Sequence, residues 1–218
     1  MKVAVLGTGD VGLNLGTRLV QLSHEVRMGS RTANNQKAID WAKASGPRAG
    51  HGPFADAAAY GEIIFNCTLG VGSLEALKMA GAQNLGQKIL IDVSNPLDFS
   101  KGMPPTLTVC NTDSLGEQIQ RSFPDSRVVK ALNMIGHDLH ANPGVVPGDH
   151  DTFICGNDGE AKAEVTRILK DWFGWKSVID LGDISGSRGM EMYLPLWLRL
   201  AQVGHWSPFN IKLVRPSM

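Results

Sequence analysis

The chain has 218 residues and a mass of 23.5 kDa, a size that fits one domain or one domain with a short appendix. Hydrophobic residues make up 43% and charged ones 19%, a globular balance that excludes disorder. Lys and Arg number 21 and so do Asp and Glu, which excludes a broad nucleic-acid surface, and no apolar run approaches the ~20 residues that span a bilayer. The opening Met1-Lys2-Val3 leads into no apolar leader with a cleavage site, and Cys67, Cys110 and Cys155 are too widely spaced to pair as metal ligands. The expectation is a cytoplasmic protein with reduced, mostly buried thiols.

Residues 2–6 form a short β-branched run stopped by glycine and read as a buried strand. Residues 10–22 carry leucines at helical spacing, and 24–28 form a second strand ended by Gly29-Ser30-Arg31. An Ala-rich helix is expected over 32–45, broken by Gly46-Pro47. Next come a helix near 54–60, a strand over 62–68, a helix over 73–82, a strand over 88–93 and a Pro- and Gly-rich loop over 95–105. A helix over 111–123 has Asn111 or Thr112 as its cap. A strand over 127–132 leads into a loop over 133–149 rich in Gly, Pro, His and Asn. A strand at 151–155, a helix at 160–172 and a strand at 177–181 follow, and 190–203 reads as one helix despite Pro195. Alternating strands and helices imply an α/β fold, a doubly wound, mostly parallel sheet covered on both faces. Residues 1–150 would form the nucleotide-binding domain, and 151–218 a small α/β extension that completes the sheet.

Gly7-Thr8-Gly9-Asp10-Val11-Gly12 is a complete G-x-G-x-x-G directly after the first strand and opening the first helix. The glycines serve a tight turn, close backbone approach to a pyrophosphate, and close helix–sheet packing of a Rossmann-type unit. The helix N-terminus adds free N–H groups and a positive dipole end. Asp10 would be repelled by a pyrophosphate, so its side chain is expected to cap the helix. NAD binders place a carboxylate at the end of the second strand; here Ser30 and Arg31 stand there, a hydroxyl and a guanidinium suited to the 2′-phosphate of NADP.

Three further loops follow strands: Thr68-Leu69-Gly70-Val71-Gly72, Ser94-Asn95-Pro96-Leu97 and Asn133-Met134-Ile135-Gly136-His137. Ligands of doubly wound sheets lie outside the carboxyl ends of the strands, so nicotinamide and reaction partner should meet here. Only His137 among these residues could act as acid or base, and no catalytic side chain is assigned. His137 and His140 are three apart, but the surrounding Gly136, Asn142, Pro143 and Gly144 favour loop over helix, and no metal site is expected. Asp149-His150-Asp151 reads as a polar turn, His24 as structural, and Trp172, Trp175, Trp197 and Trp206 as core or interface.

Taken together, Gly7–Gly12, Gly29-Ser30-Arg31, Ile91-Asp92-Val93-Ser94-Asn95-Pro96-Leu97, Val128-Val129-Lys130-Ala131-Leu132-Asn133 and Ile154-Cys155-Gly156-Asn157-Asp158 resemble the NADP oxidoreductases that use the deazaflavin coenzyme F-420. Gly182 to Arg188, with Glu191 and Leu194-Pro195-Leu196, extends the likeness almost to the end of the chain. The same motifs are similar to the NADPH–flavin domain of the six-transmembrane metalloreductases. The resemblance implies hydride transfer between NADP(H) and F-420, or FMN or FAD as a related acceptor, in a homodimer without nucleic-acid or membrane partners. It puts Gly7, Thr8, Gly9, Asp10, Val11 and Gly12 at the pyrophosphate and Ser30 with Arg31 at the 2′-phosphate. Thr68, Leu69, Asn95 and Pro96 would line the ribose and nicotinamide, and Met134 to His137 would edge the shared cofactor pocket. The likeness departs at Asn34-Asn35-Gln36, which precedes Lys37 where family members can add a lysine for the 2′-phosphate.

Two other functions fit the same residues. An imine or keto reductase would use His137 as proton donor, and a redox sensor would bind NADP without turnover. The short stretch beyond the nucleotide-binding core favours transfer between two cofactors over a dedicated substrate domain.

Overall fold

The computed structural model describes residues 1–216, so the last two residues of the expected 151–218 extension lie outside the described residues. The first half alternates regularly: β1 (Lys2–Leu6), α1 (Asp10–Gln21), β2 (Glu25–Ser30), α2 (Gln36–Ser45), β3 (Ala49–Pro53), α3 (Phe54–Tyr60) and β4 (Ile63–Asn66). A single 3-10 turn leads into α4 (Ser73–Ala80) and α5 (Ala82–Leu85), then β5 (Ile89–Asp92) and a two-rung hairpin of β6 (Leu97–Asp98) and β7 (Thr106–Leu107). The second half holds α6 (Leu115–Ser122), β8 (Arg127–Ala131), β9 (Asp151–Gly156), α7 (Gly159–Asp171), β10 (Ser177–Asp180), α8 (Ser187–Met192) and α9 (Leu194–Val203).

Eight strands form one sheet in the order β10-β9-β8-β5-β4-β1-β2-β3. Neighbours run parallel except β8 and β9, so the fold is the expected α/β, Rossmann-type, mostly parallel sheet. Its strand order reverses at β1 and β4, the point where such sheets open a crevice. The strands are apolar on both faces because helices cover both. Val3, Val5, Ile63, Phe65, Ile89 and Ile91 face α1 and α7, whereas Ala4, Leu6, Ile64 and Leu90 face α3, α4 and α6. Leu15 and Leu19 of α1 are fully buried against the first face, each contributing about 1.5–3 kcal/mol.

Several boundaries differ from the sequence expectation. β2 runs on through Ser30, which makes that serine a strand-end residue. α2 starts only at Gln36, because the Asn35 side chain accepts from the Ala38 amide at 3.1 Å and caps it there. α6 is capped neither by Asn111 nor by Thr112: Ser114 Oγ accepts from the Glu117 amide at 3.2 Å, an N-cap bond, and donates to the Glu117 carboxylate at 2.7 Å. The helix expected over 190–203 is two helices jointed at Tyr193, with Pro195 in the first turn of α9, where its missing N–H costs little. Cys155 is buried and Cys67 partly so, but Cys110 is exposed, against the expectation for the thiols.

Candidate functional site

Gly7 leaves β1 with φ at +120°, and a Cβ there would lie 2.5 Å from the Cys67 carbonyl just past the end of β4. Gly12 is as constrained, since its Cβ would overlap the Gly7 carbonyl. At Gly9, in contrast, a Cβ would meet nothing within 4 Å. The backbone beside Gly9 is thus open to an incoming group, and Gly9 is itself the N-cap of α1, with no side chain to occupy the first amides. An uncapped helix N-terminus over an open glycine turn fits a pyrophosphate. Asp10 does not cap the helix as expected, because it is the first residue inside it and Gly9 holds the cap position. Thr8 and Val11 are half-buried between these glycines, while Asp10 is exposed.

Ser30 is buried, and its hydroxyl donates to the Thr32 carbonyl at 2.6 Å. Arg31 is exposed, makes no ion pair among the described residues, and brings its guanidinium beside Gly72. It therefore spans from the β2 end to the loop after β4 with its charge free. Lys37 is exposed at the second position of α2.

The loops after β4, β5 and β8 form one hydrogen-bonded assembly. Asn66 Oδ1 accepts from the Thr68 hydroxyl at 2.7 Å, and the Asn66 amide donates to Asp92 at 2.9 Å. Asp92 accepts from the Ser94 hydroxyl at 2.6 Å and amide at 3.2 Å. Lys130 donates to Asp92 at 2.7 Å and to the Ser94 carbonyl at 2.6 Å, and pairs with Glu191 at 2.7 Å. Burial by itself would lower the Lys130 ammonium, but the two carboxylates and their hydrogen bonds outweigh it and hold the pKa raised. Asn95 and Asn133 clasp each other: the Asn95 amide donates to the Asn133 carbonyl at 2.8 Å, and the Asn133 amide donates to Asn95 Oδ1 at 2.8 Å. Leu132, just before, adopts φ of +63°, an uncommon conformation for a bulky residue, costing about 1–3 kcal/mol, that turns Asn133 toward Asn95. Asn133 Oδ1 remains buried without a partner among the described residues, an acceptor left for a donor that the protein does not supply.

Gly70 brings the β4 loop against the β5 loop so closely that a Cβ would overlap the Asn95 carbonyl. Leu69 and Val71 on either side are 58% and 57% exposed, an apolar lip over the crevice. Pro96 is buried beneath it and Met134 half-buried beside Asn133. The Cys67 thiol at this switch point is pushed up by burial, with the Asp92 charge adding to it, so it stays protonated and is no nucleophile.

A second feature adjoins this crevice. Gly136 to Leu139, Trp197 and Ala201 of α9, and Trp206 to Phe209 enclose a cavity of about 300 Å³. Trp197 and Phe209 stack at 5.5 Å, and Trp197 Nε1 is buried without a partner among the described residues. His137 lies on its rim, with its ring nitrogen 3.3 Å from Asp138 and its side chain 46% exposed. His140 is buried, with Nε2 at 3.3 Å from the Ile135 carbonyl, so the two histidines do not converge. No group of three or more His, Cys, Asp or Glu among the described residues is placed to hold a metal. His24 packs against Trp172 with the rings tilted and their centroids 4.2 Å apart, the structural role expected of it.

Sequence reasoning assigned no role to Asn66, Asp92, Lys130 or Glu191. Their signal was a charged or amide residue closing an otherwise apolar strand, most visible in Val128-Val129-Lys130-Ala131.

Residues 2–96 match the family model described as "NADP oxidoreductase coenzyme F420-dependent". The chain is 31% identical to the F420-dependent NADP reductase of Methanocaldococcus jannaschii, over 92% of each chain. It belongs to this family. A crystal structure from Arthrobacter sp. FB24, described as an F420-dependent NADP reductase, superposes with a TM-score of 0.93 at 49% identity, covering 99% of this chain and 100% of that one. Metalloreductase STEAP3 of Rattus norvegicus is 31% identical over 90% of this chain but only 38% of its own length. No helix among the described residues is long and apolar enough to cross a membrane. Family membership makes the chain an NADP-dependent oxidoreductase, and the open glycine turn and free Arg31 fit that cofactor.

Proposed function

We propose that the protein transfers a hydride between NADP(H) and the deazaflavin coenzyme F-420, as a cytoplasmic homodimer. The observation that carries this reading is that one loop serves two unlike ligand surfaces. Asn133 closes the crevice beside Asn95, and three residues on, Gly136 opens the cavity walled by Trp197, Trp206 and Phe209. Residues 1–150 would hold NADP, and the segment from 151 onward would supply most of the second pocket.

Gly7 to Gly12 and the first amides of α1 bind the pyrophosphate, Arg31 with Ser30 binds the 2′-phosphate, and Thr68, Leu69, Asn95 and Pro96 floor the ribose and nicotinamide. Met134 and His137 stand at the border of the two pockets. When bound, the dihydronicotinamide supplies the hydride that the acceptor ring takes up. The chain's own part is to hold two flat rings in register and to exclude water with Leu69, Val71 and the aromatic wall. Such a transfer needs no protein acid or base, which agrees with a crevice whose loops hold amides, hydroxyls and apolar side chains. The relatives' names support F-420 as the acceptor.

The test is anaerobic mixing of the protein with NADPH and F-420, FMN or FAD, following loss of NADPH absorbance. Oxidation by F-420 well above that by either flavin is expected. A preference for FMN or FAD would replace the acceptor, and inertness toward all three would overturn the reading.

A further inference from the structure

Asn66, Asp92 and Lys130 stand abreast near the carboxyl ends of three neighbouring strands, Asn66 in register with Asp92 and Asp92 with Lys130. All three are fully buried, and Glu191 is 1% exposed. Removing three charges from water is costly, and an apolar replacement of equal volume is often no less stable. The ring-to-ring transfer proposed above uses none of these charges. What distinguishes the cluster is its connections. Toward the crevice, Asp92 and Lys130 together take every polar backbone and hydroxyl group of Ser94, the residue before Asn95. Away from it, Glu191 accepts from the Leu115 and Gly116 amides at 2.8 and 3.0 Å, at the N-terminus of α6, and sits on α8. α8 continues through the Tyr193 joint into α9, which supplies Trp197 to the cavity.

We propose that Lys130, bridging Asp92 and Glu191, is a positioning residue that locks the loop under the nicotinamide to the helix pair walling the second cavity. The two half-sites then move as one body, and ring separation is set by the sheet and not by the flexibility of two independent loops. This inference rests on the two-pocket reading above. Gly116 shows how tightly α8 is drawn in: a Cβ there would lie 2.5 Å from Ser187 Oγ.

Glu191→Gln breaks the charged half of the bridge nearest α8 and touches neither ligand surface. Glu117→Gln is the control. It breaks the paired Arg188–Glu117 contacts at 2.8 and 2.6 Å, which join the same two helices without reaching Lys130. In ligand-free protein, hydrogen exchange of peptides covering 90–99 should quicken about tenfold or more in Glu191→Gln and remain as in the parent in Glu117→Gln. With NADPH and F-420, single-turnover transfer should fall about tenfold in Glu191→Gln while NADPH affinity, read by its fluorescence, changes about threefold or less. Unchanged exchange at 90–99 in Glu191→Gln, or equal quickening in the control, overturns the proposal. So does a loss of NADPH affinity as large as the loss of rate. If the parent protein reduces no acceptor, the two-pocket reading fails, and the exchange comparison still decides whether the bridge holds the loop. Should Glu191→Gln not fold, Glu191→Asp, one methylene shorter, gives the same comparison.

Discussion

In the proposed function, cofactor choice turns on Arg31. Its guanidinium stands beside Gly72 with no carboxylate partner among the described residues, so its charge is available to a ligand. Charge-assisted hydrogen bonds to a phosphate are worth about 1.5–3 kcal/mol. Arg31→Ala is therefore expected to weaken NADPH by about tenfold to a hundredfold and leave NADH nearly unchanged, as titrations of nucleotide fluorescence would read. Equal loss for both nucleotides would remove Arg31 from the 2′-phosphate. Residues of this kind were legible in the sequence because their chemistry is local. The roles proposed for Gly7 to Gly12 and Ser30-Arg31 were readable from residue type and spacing alone. That of Gly70 was not, although a Cβ there is forbidden as strictly as at Gly12, because what forbids it is the Asn95 carbonyl in the loop after another strand. Asp92, Lys130 and Glu191 belong to the motifs that carry the family likeness, but their mutual contact was silent for the same reason, since it joins residues 38 and more apart.

Among the elements, those with dense apolar patterning were legible: β1, β5, α1 and α7 fall within a residue or two of expectation. β3 was not, since Ala-Gly-His-Gly-Pro offers no β-branched side chain, and it is a strand only because β2 provides a backbone to pair with. The loop between β8 and β9 read as irregular, but it carries a buried core of its own. There His140 lies under Trp175, whose indole N–H donates to the His140 carbonyl at 3.1 Å. Burial holds the His140 imidazole down at about 4, against 6.5 when free. The unfolded chain accepts its proton near pH 6.5 and the folded chain only near 4. Acid therefore favours unfolding through that window, and stability rises with pH across it, by about 3 kcal/mol in all. Denaturant midpoints measured between pH 4 and 7 should show this slope, and His140→Gln should flatten it; an unaltered slope would assign it to other groups.

On the scale of the whole molecule, α9 turns Trp197 inward while Leu196, Leu200 and Val203 remain 55%, 40% and 80% exposed on its outer side. Trp206, 57% exposed, extends this surface. The proposed homodimer would cover it. Sedimentation velocity is expected to give a particle of twice the chain mass, and Leu200→Glu to return it to one chain. A monomer at micromolar concentration in the parent protein would exclude that arrangement.

Beyond α9 the chain returns along β9. Asn210 donates to His150 at 2.8 Å and to the Asp151 carbonyl at 2.9 Å, and the Leu213 amide donates to the Asp151 carboxylate at 2.6 Å. This strap fixes Trp206 to Phe209 over the cavity whose floor is Gly136 to Leu139. During synthesis the floor leaves the ribosome well before the roof, and the roof has nothing to grip until β9 has joined the sheet. The residues lining the nucleotide crevice end at Asn133, although the Glu191 contact that steadies its Ser94 loop comes only later in the chain. In chain order, then, every residue proposed to touch the nucleotide precedes every residue that roofs the second cavity.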